Sequence, residues 1–249
     1  MDIAKINAAC GGPGSAELRK GSLLRFLACS FAALLFTGSP AAAATQRLDY
    51  RVSHSIYGDI GTYSNVIESD GAATTVTSAL DIKVTILGLI AYRQEARRVE
   101  QWKGDRLVSF RGVADMNGKR TVVSGEAEGD GFVVTSPSGK TTAPAWVRVA
   151  NPWTASTLNG DALLLPDDGA VKKARLTDKG EASVLIGERE IRARQYDIAL
   201  IGAKKHYFVW FDAADTPVKF SVFDSDGTCT FTLSGPKPPD VLLAQRAQR

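Results

Sequence analysis

The chain has 249 residues, of which 44% are hydrophobic and 23% charged, with 23 glycines, 10 prolines and 3 cysteines. This is a globular composition; it excludes a collagen, an acidic disordered chain, a disulfide-stapled miniprotein and a polytopic membrane protein. A formal charge of +3 is too small for a dedicated nucleic-acid binder.

Residues 1–44 read as a secretory signal peptide. Arg19, Lys20 and Arg25 precede an apolar run from Phe26 to Phe36, which Gly38, Ser39 and Pro40 break before Ala41–Ala44 offers small residues to a peptidase. The run is well short of the roughly 18–20 apolar residues that a membrane span needs. Removing 44 of the 249 residues leaves 205, with no transmembrane span. The leader holds four of the 30 basic and two of the 27 acidic residues, so the remainder stands at +1. That balance steers the protein toward neither nucleic acid nor acidic lipid. Cys229 is then the lone cysteine, and the expected compartment is the periplasm, with the fold held by its core instead of a disulfide.

The mature chain alternates with a period of two. From Arg47 to Tyr57, Leu48, Tyr50, Val52 and Ile56 share one face; from Thr74 to Ile86, Val76, Leu80, Ile82, Val84 and Ile86 do. Near the end Cys229, Phe231 and Leu233 alternate with threonines. These are half-buried antiparallel strands. Asp70-Gly71, Gly104-Asp105, Asn117-Gly118, Asp130-Gly131, Ser138-Gly139 and Asp226-Gly227 supply hairpin turns between them. The rhythm breaks between Pro144 and Asp168, where Asn151 and Pro152 suit the cap and first position of a short helix. Strands resume over 171–177, 182–186, 189–200, 204–212, 217–224 and 228–233. The prediction is one all-β, mainly antiparallel domain over 45–233, with a short helix or irregular insertion near 150–165 and a mobile tail over 234–249.

Catalytic chemistry is hard to place. His54 lies on an apolar strand face, His206 follows two lysines, and no HExxH, CxxC or HxH spacing occurs, so neither a metal nor a cofactor is expected. Cys229 shares a face with Phe231 and Leu233, which blunts a thiol. There is no GxSxG elbow. Gly139-Lys140-Thr141 lacks the earlier glycine of a phosphate loop, and Asp224-Ser225-Asp226-Gly227 lacks the first ligand of a calcium loop; both read as hairpin turns. The strand from Ala91 to Trp102 carries Arg93, Glu95, Arg97, Arg98 and Glu100 on both faces, which fits a solvated sheet face or the polar rim of a ligand groove. Trp102, Trp146, Trp153 and Trp210 fit either core packing or, if they cluster on the open side of a curved sheet, an apolar binding surface.

Three segments carry a resemblance: Glu100, Trp102, Gly104 and Leu107; Asn151-Pro152-Trp153 with Leu163-Leu164-Leu165 and Asp168-Gly169; and Val209-Trp210-Phe211-Asp212 with Pro217-Val218, Asp226-Gly227 and Leu233. The pattern resembles a family of uncharacterised exported proteobacterial proteins classed as a domain of unknown function, and it implies no catalytic residues. More distantly it is similar to periplasmic lipoprotein-carrier-like proteins, which implies a strongly curved open half-barrel or partly closed barrel. The leading expectation is non-catalytic binding of an apolar or lipid-like ligand, or a lipidated partner, on a curved sheet in the cell envelope. Trp102, Trp146, Trp153, Trp210, Arg93 and Arg97 are its candidate contacts. The alternatives are a protein-interaction module with a self-filled core and a carboxylate hydrolase built on Glu95/Glu100 or Asp197/Asp212.

Overall fold

The computed structural model describes residues 44–203, 205–224 and 227–234. Nearly all of the leader, the tail beyond Ser234 and Asp226 of the last expected turn lie outside them. The strands are β1 (Ala44–His54), β2 (Gly58–Ser69), β3 (Ala73–Ile86), β4 (Leu89–Lys103), β5 (Arg106–Met116), β6 (Lys119–Glu128), β7 (Gly131–Ser136) and β8 (Gly139–Pro144). Two short strands follow, β9 (Arg148–Val149) and β10 (Ala162–Leu164), with a 3-10 turn at Ala155–Leu158 between them. The second run is β11 (Val171–Ile186), β12 (Arg189–Leu200), β13 (His206–Phe211), β14 (Pro217–Asp224) and β15 (Gly227–Leu233).

All fifteen strands form one sheet, antiparallel except where β9 meets β10. β1 lies at its middle. β2 to β8 stack outward on one side, and β15 back to β9 stack outward on the other. Laid flat at about 4.8 Å per strand, the sheet would span roughly 67 Å. Yet its two edges, β8 and β9, are joined by residues 145–147 alone, a link that reaches no more than about 14 Å. The sheet must therefore wrap round on itself. No ladder joins β8 to β9 among the described residues, so the wrap stops short of a closed barrel. Register shifts at Val52/Ser53, Val84/Thr85, Gln101/Trp102, Asp178/Gly180 and Trp210/Phe211 add the local twist that this curvature requires.

The inward faces make one core. Tyr50, Val52, Val76, Leu107, Phe110, Phe132 and Val134 are fully buried, and Val147, Val149, Leu158 and Leu164 of the irregular segment join them. Part of segment 145–170 thus packs into the interior of the curl. Its return loop reaches the far wall at Gly169, where φ is +76° and a side chain would meet Ser136 Cβ at 2.6 Å. A second cluster, Val184, Ile186, Ala193 and Val218 with Trp210 against it, forms beyond the β11 bulge.

Four expectations change. The runs 171–177 and 182–186 are one strand, because Asp178-Lys179-Gly180 makes a bulge in which Asp178 Oδ1 accepts the Gly180 N–H at 2.8 Å. Asn151 caps no helix; the 3-10 turn starts after Thr154 and Asn151 is buried. Ile56 and Ile86 leave the apolar face, since pairing ends at His54 and the β3–β4 turn begins at Leu87. Arg98 and Glu100 belong to no solvated face: they point inward with Gln94, Ala96 and Trp102, while Arg93 and Arg97 point out.

Candidate functional site

The curl encloses a partly open cavity of about 280 Å³. Its apolar lining includes Leu80 and Ile82 from β3, Leu158 and Leu163 from the irregular segment, and Phe220 and Phe231 from β14 and β15. Phe220 and Phe231 stack at 4.3 Å, and Tyr63 stands edge-on to both. A largely apolar chamber of this size has room for a short acyl chain or a ring.

One wall is polar. Arg98 forms an ion pair with Asp167, which the loop after β10 brings across the interior, and Gln94 Nε2 approaches Asp167 Oδ2 at 3.4 Å. Burial pulls the Arg98 guanidinium down, but Asp167 beside it prevails and the group stays above its ordinary range. Arg98 is 7% exposed and its Nε has no hydrogen-bond partner among the described residues. An orphaned, buried, charged N–H is an energetic liability unless something accepts from it.

Continuous with this wall is a network centred on Asn151. Its Oδ1 accepts from Tyr63 Oη at 2.7 Å and Asn65 Nδ2 at 3.2 Å; its Nδ2 donates to Glu100 Oε1 at 2.7 Å and Ser78 Oγ at 3.1 Å. Glu100 Oε2 accepts from Trp102 Nε1 at 3.0 Å and Trp153 Nε1 at 3.3 Å. Glu100 is 0% exposed. Burial raises its carboxyl to about 7, against the opposing hydrogen bonds from Asn151, Trp102 and Trp153 and the charge of Arg98. Burial likewise pushes the Tyr63 hydroxyl to about 12. The Cys229 thiol, on the cavity wall, is pushed to about 11 by burial, with Lys205 pulling weakly the other way. A neutral carboxylic acid, a neutral phenol and a neutral thiol are what a largely apolar interior favours.

The six candidate contacts divide between interior and surface. Trp102 is buried and meets Trp153 edge-on at 6.0 Å, with Arg148 over its ring at 5.5 Å; Glu100 links the two indoles. Trp146 is 56% exposed and donates to Asp161. Trp210 lies under Lys219 at 4.8 Å, on the second cluster. Arg93 pairs with Glu95 at the surface, and Arg97 reaches the Ala96 carbonyl at 3.1 Å. None of the six lines the cavity, whose polar wall is made instead by Arg98, Asp167, Gln94, Tyr63 and Asn151. The signal for that wall was the phase of β4: a buried Trp102 puts Gln94, Arg98 and Glu100 on its own face.

No helix among the described residues is long and apolar enough to cross a membrane. The second candidate pair of carboxylates, Asp197 and Asp212, is engaged elsewhere. Asp197 lies 3.1 Å from His206 Nδ1, and Asp212 Oδ1 accepts the N–H groups of Ala214 and Thr216.

The backbone is similar to the crystal structure of a beta-barrel-like protein of domain of unknown function DUF1849 from Brucella abortus, with a TM-score of 0.56 and 12% identity over 76% of this chain and 95% of that one. That likeness concerns the fold. No curated protein matches the sequence. Residues 57–234, spanning every strand from β2 to β15, match the family described as domain of unknown function (DUF6134), and the chain belongs to that family.

Proposed function

We propose that this protein is a non-catalytic binding protein of the cell envelope, exported by its leader, that holds one small apolar or lipid-like ligand inside the curl. The observation that carries this reading is the cavity itself: an aliphatic and aromatic chamber bordered by one buried arginine whose Nε lacks an acceptor among the described residues. Such a site takes an apolar body and presents a buried charged donor to a polar head. The carboxylates support binding over turnover. Glu100 is sealed behind three donors, and Asp197, Asp212 and Glu95 each hold a structural contact.

Native mass spectrometry of the protein purified from its own compartment tests the proposal, paired with titration by a fluorescent fatty-acid analogue. A co-purifying small molecule, or saturable one-to-one probe binding that Val222→Trp abolishes by filling the chamber, is expected. Loss of neither mass nor signal after delipidation, with no probe binding, would overturn it.

A further inference from the structure

The strand registers bring five connections to one end of the curl, 55–57, 87–88, 117–118, 137–138 and 165–170, together with the end of β12, the start of β13 and the facing ends of β14 and β15. Among the described residues, eight of the thirteen exposed large hydrophobic side chains sit at this end. They include Ile56 on the β1–β2 tip, Leu87, Leu89 and Ile90 on the β3–β4 tip, Ile201 after β12 and Phe223 near the end of β14. Leu87 is 98% exposed and Leu89 75%. Leu87 also adopts a φ of 51°, a backbone region that costs a residue with a Cβ about 1–2 kcal/mol and that Asn or Gly would occupy more readily. Neither solubility nor turn geometry favours leucine there.

We infer that this end docks on the surface of an anionic lipid bilayer. The apolar side chains stand on separate hairpins, with the β1–β2 and β3–β4 tips two strands and so about 10 Å apart. They form prongs, not the continuous groove or flat patch that a folded protein partner would fill. Basic side chains flank them: Lys83 below the β3–β4 tip, Lys119 and Arg120 on the β5–β6 tip, and Lys172 and Lys173 beside Ile201, whose N–H donates to the Lys173 carbonyl. Among the described residues, none of these five is held in an ion pair. Of the acidic groups nearby, Asp59 is matched by Arg51 and Asp167 by Arg98, while Asp115 and Asp168 accept backbone N–H groups. The whole chain is nearly neutral, so placement and not total charge supplies the attraction. Apolar prongs ringed by lysine and arginine suit a leaflet in which the side chains pass the headgroups and the cations remain at their level. The cavity lining reaches this same end through Asp168 and Lys205, although docking does not depend on the cavity's being filled.

Co-flotation of the protein with vesicles of phosphatidylcholine, alone or mixed with phosphatidylglycerol, tests the inference. Wild type is expected to float with the mixed vesicles and far less with phosphatidylcholine alone. Leu87→Asn combined with Leu89→Ser should weaken binding at least tenfold, and Lys119→Glu about fivefold or more. Leu87→Asn alone should raise the thermal midpoint by relieving the turn while lowering vesicle binding, a pair of opposite changes that misfolding cannot produce. Absence of flotation, equal flotation of the variants, or a dimer in sedimentation that the tip substitutions dissociate would each overturn it, the last by assigning the surface to a second copy of the chain.

Discussion

Glu100 should make the fold lose stability as pH rises from about 4.5 to about 7. In the unfolded chain its carboxyl titrates near 4.5, whereas burial holds it at about 7 in the native state. Below the lower value both states carry the proton and the group is neutral to stability. Between the two values the unfolded chain has released a proton that the native state keeps, so the unfolded state binds fewer protons and stability falls with increasing pH. Above about pH 7 the penalty is complete, at about 3 kcal/mol for a separation of this size, a large share of a domain's stability. Urea unfolding followed by tryptophan fluorescence at pH 5 and pH 8 reads it, since Trp102 and Trp153 both donate to this carboxylate. Glu100→Gln isolates the contribution. The amide still accepts from the indoles but turns an NH₂ toward Asn151 Nδ2, so the variant should be about 1–2 kcal/mol weaker at pH 5. It lacks the titration, so the deficit should shrink or reverse by pH 8. A variant whose stability falls with pH as steeply as wild type would refute the assignment.

Asn151→Ala should cost about 2–4 kcal/mol in urea unfolding, because it leaves Asn65 and Glu100 with unmatched buried polar atoms at once, while Tyr63 keeps its bond to Asn65 Oδ1. Gly169→Ala should lower stability by about 1–3 kcal/mol, since the added Cβ meets Ser136 and the backbone sits at φ +76°. The same change should loosen the loop that carries Asp167 and weaken fluorescent fatty-acid binding. With its thiol held at about 11, Cys229 should react with a disulfide reagent at pH 8 far more slowly than a free cysteine, and more slowly still when the chamber is filled with that probe. Faster reaction in the presence of the probe would place the ligand elsewhere.

Most of the strand layout could be read from the chain because a half-buried strand writes its burial every second residue. What failed to show was direction where both faces carry charge. On β4, Arg93, Glu95 and Arg97 alternate with Arg98, Glu100 and Gln94, and only the burial of Trp102 tells which set points inward. Asn65 and Ser78 interrupt otherwise apolar inward sets, between Tyr63 and Ile67 and between Val76 and Leu80; those interruptions mark the polar network but cannot identify Asn151, which arrives from an irregular segment. Asp178-Lys179-Gly180 has the chemistry of a hairpin turn and is used for a bulge, because the same positive φ at Gly180 serves either. The apolar pattern runs on to Ile56, beyond β1, and to Ile86, the last residue of β3, where the chain has left the core and both side chains are exposed.

The pairing of the first strand with the last has its own consequence for biosynthesis. Val52 lies opposite Phe231, so the centre of the sheet cannot be zipped until almost the whole polypeptide has been made. Contacts so distant along the chain slow maturation, and until they form, β1 presents an unsatisfied edge able to recruit a neighbouring nascent chain. Clones ending before residue 227 should accumulate as insoluble material even though fourteen of the fifteen strands are encoded.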